Sequence, residues 1–322
     1  MSTGVVVVGS FNVDHAWTSD ALPRPGETLA GLYASGAGGK GFNQAVAAAR
    51  AGAATTFVCA LGDDSGGRLA RDLAAADGIA LHAQGSDAPT GTAGIFIDAR
   101  GRNCIVLGPG ANAELSVAHL RAHRADISAA RILVAQLEVP PATVEAALQA
   151  ARDAGVATVL NPAPANIDVA GGLVSLADVL TPNETEFASL LAHHLGERID
   201  PDEVAMLEQA RLHDLCRALL PHGTVVVTLG SAGCFVSHPA ALRRGDDRPH
   251  YRTPGERVQA IDTTGAGDAF NGALAASLAR APGKAFEGHI VFATRYAALS
   301  TERTGAAASM PRRPELESRY GG

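Results

Sequence analysis

Val5-Val6-Val7-Val8, stopped by Gly9-Ser10, is the stretch whose reading decides the fold. Four consecutive β-branched residues leave no polar face, so the strand they form is buried on both sides, as at the centre of a parallel sheet covered by helices. Such strands deliver active groups just past their C-terminal ends. Working outward, an alanine-rich helical pattern from Asn43 to Ala51 is followed by a strand at Thr55 to Ala60, a helix at Gly66 to Ala76 and a strand at Ile79 to Ala83. The same rhythm returns with Ile132 to Ala135, a helix from Pro141 to Ala154, Ala157 to Leu160, Val179-Leu180, a helix from Asn183 and Val225 to Leu229. Alternation of this kind predicts a doubly wound α/β architecture.

Two segments break the rhythm. One runs over about 14–36, the other over about 92–108, where Gly94-Ile95-Phe96-Ile97 and Asn103-Cys104-Ile105-Val106 flank a turn at Ala99 to Arg102 and read as a β-hairpin. Strands inserted at two distant places can meet as a small separate sheet near the ends of the early core strands. A lid over a site and plain surface decoration are both open on this pattern. The polar stretches His193 to Gln209 and His238 to Tyr251 read as surface excursions, and Pro311 to Gly322 as a terminal helix with a loose tail.

Bulk composition narrows the function. The 322 residues are 47% hydrophobic and 18% charged, enough to bury a core without disulfides or a structural metal. Length fits one large α/β domain with a small appendage over 1–322 or two units. The net charge of −7, with both signs interspersed and Lys40 and Lys284 as the only lysines, argues against a nucleic-acid or anionic-membrane partner. No apolar stretch is long enough to span a bilayer or serve as a signal core, and Cys59, Cys104, Cys216 and Cys234 lie too far apart for a zinc ribbon or a disulfide framework. The cysteines are expected to be small buried hydrophobes, and a reducing cytoplasm is the expected compartment.

Asp262-Thr263-Thr264-Gly265-Ala266-Gly267-Asp268-Ala269-Phe270 opens a helix through glycines. Unpaired N–H groups at such a helix start, with the helix dipole, favour an anion such as a transferring phosphoryl group, and glycine permits its close approach. Asp268 in the first turn is placed either to accept a proton beside that anion or merely to cap the helix. Gly36-Ala37-Gly38-Gly39-Lys40-Gly41-Phe42-Asn43-Gln44 also leads into a helix but is neither a Walker loop nor a dinucleotide fingerprint. In Thr181-Pro182-Asn183-Glu184-Thr185-Glu186, Thr181 and Glu184 fit a capping box, which leaves Asn183 and Glu186 on one helical face for a hydrated magnesium ion or for solvent. Asp63-Asp64 read as N-caps, and His119 and His123, spaced i,i+4 with no third ligand in view, as a surface helix.

Taken together, these stretches in this order resemble the ribokinase family of sugar kinases, also called the phosphofructokinase-B family. The combination includes Gly9 to Asp14, Pro25-Gly26-Glu27-Thr28, Gly38 to Ala47, Asn161-Pro162-Ala163-Pro164, Thr181 to Glu186, Thr228 to Gly233 and Asp262 to Phe270. The resemblance implies a Rossmann-like three-layer α/β/α core with a β-sheet lid made from the two interrupting segments, through which two subunits often pair. It implies an ATP-dependent kinase of ribose, or of another pentose, a hexose or a nucleoside; a sensor that binds sugar without catalysis is the alternative from a different class.

The resemblance also assigns roles. Asn12, Asp14, Gly39, Lys40, Asn43 and Glu138 would line the sugar pocket, with Asp268 as the base. The N–H groups of Gly265, Ala266 and Gly267 would hold the phosphoryl oxygens. Asn183 and Glu186 would meet magnesium, while Thr228, Gly230, Ser231, Gly233, Gly267 and Thr294 would flank the nucleotide. Asp262, Thr264, Ser300, Arg303, Gly305 and Ser309 would surround a potassium ion. Two positions depart from the family pattern: Phe42 stands where a small residue is usual, and Thr294 replaces a ring or an amide, which is expected to change what fits.

Overall fold

A computed structural model describes residues 4–165 and 171–321. The first three residues and the end of the expected C-terminal tail, Gly322, lie outside the described residues. The strands are β1 (Val5–Val8), β2 (Asn12–Thr18), β3 (Leu32–Gly38), β4 (Thr55–Gly62), β5 (Ala80–Ser86), β6 (Gly91–Ile97), β7 (Asn103–Gly108), β8 (Ile132–Ala135), β9 (Ala157–Leu160), β10 (Val179–Leu180), β11 (Thr224–Thr228), β12 (Cys234–Ser237) and β13 (His250–Thr253). The helices are α1 (Lys40–Arg50), α2 (Ser65–Ala76), α3 (Val117–Ala122), α4 (Arg124–Ala129), α5 (Pro141–Asp153), α6 (Gly171–Val174), α7 (Glu184–Leu195), α8 (Pro201–Val204), α9 (Gln209–Leu219), α10 (Ala266–Arg280), α11 (Phe286–Ser300) and α12 (Arg313–Tyr320).

Val5 to Val8 are fully buried or nearly so, and β1 pairs in parallel with β4 on one side and β8 on the other. Alternate residues along β1 feed two cores: Val5 and Val7 join one packed against α1, α10 and α11, and Val6 and Val8 join one packed against α5, α7 and α9. The resulting sheet runs β13-β12-β11-β10-β9-β8-β1-β4-β5, parallel except for the pairings of β12. The two interrupting segments meet in a second sheet ordered β3-β2-β6-β7, with β2 leaving directly from the C-terminal end of β1.

Several expectations need correction. Helix α1 starts at Lys40 rather than Asn43, because distant groups cap its glycine-rich first turn: Lys40 N donates to Glu138 Oε2, Gly41 N to Ser10 Oγ and Phe42 N to the Ser10 carbonyl. The capping box of α7 is Asn183 with Glu186, not Thr181 with Glu184. Thr181 instead donates its hydroxyl to Asn271 Oδ1 at 2.5 Å, which ties the loop to α10. His238 to Tyr251 is no simple surface excursion, since His238, Asp246 and Tyr251 form a buried hydrogen-bonded group under β12 and β13. Cys104 is exposed on β7, while the other three cysteines are buried. Asp64 does cap α2, and also holds Thr90.

Candidate active site

The chemistry gathers where β1 and β8 end. Glu138, just past β8, accepts hydrogen bonds from Ser10 Oγ at 2.6 Å and Lys40 N at 3.0 Å, so the glycine-rich start of α1 is tied to the loop after β1. Asn12, at the first position of the lid, is held through Asn112, whose Nδ2 donates to Asn12 Oδ1 at 2.8 Å and to the Phe11 carbonyl at 2.9 Å. Asn112 was not legible in the sequence, since it lies in a short 3₁₀ turn 100 residues away with no local pattern around it.

Helices α1 and α10 cross in close contact at Gly272. A Cβ there would lie 2.9 Å from Ala48 N, so only glycine permits the approach. That crossing brings Asn43 and Gln44 onto Asp268: Asn43 Nδ2 donates to Oδ2 and Gln44 Nε2 to Oδ1, both at 2.9 Å. Gln44 also donates to Asn161 Oδ1 at 3.1 Å and accepts from Gln136 Nε2 at 2.6 Å. Gln44, Gln136 and Asn161 form a buried amide chain beneath Asp268 that sequence reading missed; the one signal was Gln44 directly following Asn43 in the first turn of α1.

Asp268 is 6% exposed and sits at the start of α10, whose N-cap Gly265 adopts φ 76° and offers no capping side chain. A left-handed N-cap of this kind demands glycine. Nothing lies within 4 Å of where a Cβ on Gly267 would sit. Of the expected anion donors, Ala266 N is already given to the Thr263 carbonyl at 3.1 Å. Burial pushes the Asp268 carboxyl up from its ordinary value, the Lys40 charge and the two amide hydrogen bonds pull it back, and Glu138 adds to the rise. Asp14 is pushed up to about 7 by burial, then by the charges of Glu138 and Asp268. Burial works to lower the Lys40 pKa, but Asp268, Glu138 and Glu186 together outweigh it and raise the value. One ammonium thus faces three carboxylates. Glu186 is itself raised, by burial first, while the Asn183 N–H and Lys40 oppose the rise.

On the other flank, Asn183 and Glu186 are locked together: Glu186 Oε2 accepts from Asn183 N at 2.9 Å and Oε1 from Asn183 Nδ2 at 3.0 Å. Thr228 N donates to the Pro182 carbonyl, which sets the end of β11 and the turn Gly230–Ala232 beside them. Gly233 precedes Cys234, whose thiol burial pushes up to about 12 and against which the Thr294 and Thr253 hydroxyls lie. The loop at Asp262 is fastened to the chain after α11: Asp262 Oδ2 accepts from Gly305 N at 2.8 Å and Oδ1 from Thr264 N at 2.9 Å. The Gly265 turn packs on Ala306 and Met310. Ser300 and Ser309 are buried nearby in sequence, and Arg303 pairs with Glu315.

Phe42 does not line the pocket. It is fully buried, edge-on to Phe11 with ring centroids 5.0 Å apart and near Phe57, so its departure from the family pattern is absorbed by the core.

A carboxylate at an uncapped, glycine-started helix, a lysine among carboxylates and a sheet arching from the same strand ends have counterparts in known proteins. Residues 2–313 match the pfkB family of carbohydrate kinases. The chain belongs to that family. This kinase is 41% identical over 318 residues to the ribokinase of Haemophilus influenzae, covering 98% of this chain and 97% of that one. It is 37% identical to the mouse ribokinase over 320 residues, covering 98% and 94%. Among solved structures, the ribokinase of Giardia lamblia superposes with a TM-score of 0.86 at 28% identity, covering 99% and 98%. The Arabidopsis thaliana ribokinase complexed with ribose and ATP gives 0.79 at 29% identity, again covering 99% and 98%. Among the described residues no helix of the kinase is long and apolar enough to cross a membrane.

Proposed function

We propose that the chain is an ATP-dependent ribokinase that transfers the γ-phosphoryl group to the 5-hydroxyl of D-ribose. The full-length similarity to ribokinases, one of them solved with ribose and ATP, supports the substrates. The observation that carries the mechanism is the buried Asp268 carboxylate at the open start of α10, held by Asn43 and Gln44.

Phosphoryl transfer passes through a loose transition state, so positioning and charge neutralisation matter more than covalent help. In this reading Asn12, Asp14, Gly39, Lys40, Asn43 and Glu138 hold the sugar, and Asp268 orients the 5-hydroxyl and takes its proton. The N–H groups of Gly265 and Gly267 hold the phosphoryl oxygens as charge develops, and that of Ala266 joins them on leaving the Thr263 carbonyl. Thr228, Gly230, Ser231, Gly233 and Thr294 flank the nucleotide.

A hydrated magnesium ion suits Asn183 and Glu186, because each carboxylate oxygen of Glu186 accepts one hydrogen bond from Asn183 and keeps a second lone pair for a metal-bound water. When bound, magnesium would neutralise charge on the nucleotide phosphates. Asp262, Thr264, Ser300, Gly305 and Ser309 would offer oxygens to potassium, to which Arg303 can contribute only its carbonyl, since its guanidinium is a cation. A potassium ion there would stiffen the turn that carries Gly265.

The lid sheet exposes Trp17, Leu32, Tyr33, Ile105, Val106 and Leu107. An apolar sheet of this kind supports pairing with the lid of a second copy. The reading is tested by a coupled ADP-release assay over pentoses, hexoses and nucleosides. Ribose-dependent turnover supports it, and preference for another acceptor replaces the substrate.

A further inference from the structure

His119 and His123 lacked a third ligand in the sequence; the fold brings others. His82 stands on β5, the edge strand of the nine-stranded sheet, and faces the junction of α3 and α4, where His123 and Asp126 lie. His82 Nε2 is 3.2 Å and His123 Nδ1 3.6 Å from Asp126 Oδ2, and the ligand atoms of all three lie within 4.8 Å of one another. The His82 and His123 rings stack with centroids 4.0 Å apart. Metal bonds of about 2.0–2.2 Å at tetrahedral angles place ligand atoms roughly 3.3–3.5 Å apart, close to the two spacings measured to Asp126. All three side chains are partly exposed, so an ion has a way in.

His119 strengthens the arrangement. Its ring lies 4.8 Å from that of His123, and its Nε2 is 3.3 Å from the His82 carbonyl, which ties α3 to the strand carrying the first ligand. The place is remote from the chemistry. Asp126 lines a cleft of about 230 Å³ with Gly4, Val5, Thr55 and Ala80, at the N-terminal ends of β1, β4 and β5, whereas the kinase site lies at the C-terminal ends.

We propose that His82, His123 and Asp126 form a divalent transition-metal site, with water completing the coordination. Two imidazoles and one carboxylate suit zinc and its neighbours and do not suit magnesium or potassium. The site pins the edge strand to the α3–α4 junction, so its effect is on stability and not on phosphoryl transfer.

Chelator-stripped protein without nucleotide is titrated with Zn²⁺ against a chromophoric competitor, beside His82→Ala, His123→Ala and Asp126→Asn, with melting temperatures recorded. Asp126→Asn is nearly isosteric and keeps the test open if an alanine variant fails to fold. Zinc binding at one equivalent per chain, weakened at least about ten-fold in each folded variant, and a zinc-induced rise in melting temperature lost with it, support the site. No zinc bound, or binding and melting shifts equal in parent and variants, overturn it and leave the cluster as hydrogen-bonded side chains.

Discussion

Gln44 Nε2 donates to Asp268 Oδ1 at 2.9 Å, while Gln44 Oε1 accepts from Gln136 Nε2 at 2.6 Å. Asp268, the proposed base, is therefore gripped from below by an amide that is itself fixed. Replacing Gln44 with Leu removes a hydrogen bond that favours the ionised carboxylate and leaves Gln136 and Asn161 short of a partner. The expected cost is about 1–3 kcal/mol of stability. In the proposed mechanism ionised Asp268 is the active form, so activity is expected to fall as pH drops through its pKa. Gln44→Leu raises that pKa further, and the acid limb of kcat/KM moves to higher pH. An unmoved limb with lower stability would reduce Gln44 to packing.

Asp14, pushed up to about 7, carries the opposite sign from a salt-bridged aspartate. The native state binds its proton more tightly than the unfolded chain does, so stability is lost as pH rises from about 4 to about 7. Asp14→Asn is expected to raise the melting temperature at pH 8, leave it little changed at pH 4, and weaken ribose use. Equal shifts at both pH values would contradict the linkage.

Potassium is expected to raise the turnover of the parent steeply when it replaces choline. Asp262→Ala, which frees Gly305 N and Thr264 N from their shared carboxylate, is expected to flatten that response. A parent rate independent of potassium would remove the cation from the account.

Leu32 and Val106 lie on opposite faces of the lid sheet, 79% and 64% exposed. Sedimentation is expected to find a dimer, converted to monomer by Leu32→Asp or Val106→Asp. A parent monomer, or a dimer indifferent to both changes, would contradict pairing through the lid.

The fold was legible wherever burial on both faces wrote itself into the chain: β8 and β10 begin and end where their apolar runs do. The lid was legible as an interruption, and the pairing of β2 with β6 followed only from topology. The start of α1 was not, because its capping groups, Ser10 and Glu138, are 31 and 98 residues from their partners. Asn112 and Gln136 were hidden for the same reason, and Asn161 was legible only as part of a family stretch, without its contact to Gln44. The capping box of α7 was misplaced by two residues because Thr181-Pro182 and Asn183-Glu184 carry equally good local signals, and the hydrogen bond from Thr181 to Asn271 decides between them.

The central claim is that Asp268 accepts the proton of the ribose 5-hydroxyl. Ribose-dependent ADP release is to be measured in the parent and in Asp268→Asn, with ribose and ATP binding followed in parallel. The account predicts a loss of about 10²–10⁴-fold in kcat with both substrates still bound. Turnover of the variant within a few-fold of the parent would contradict it.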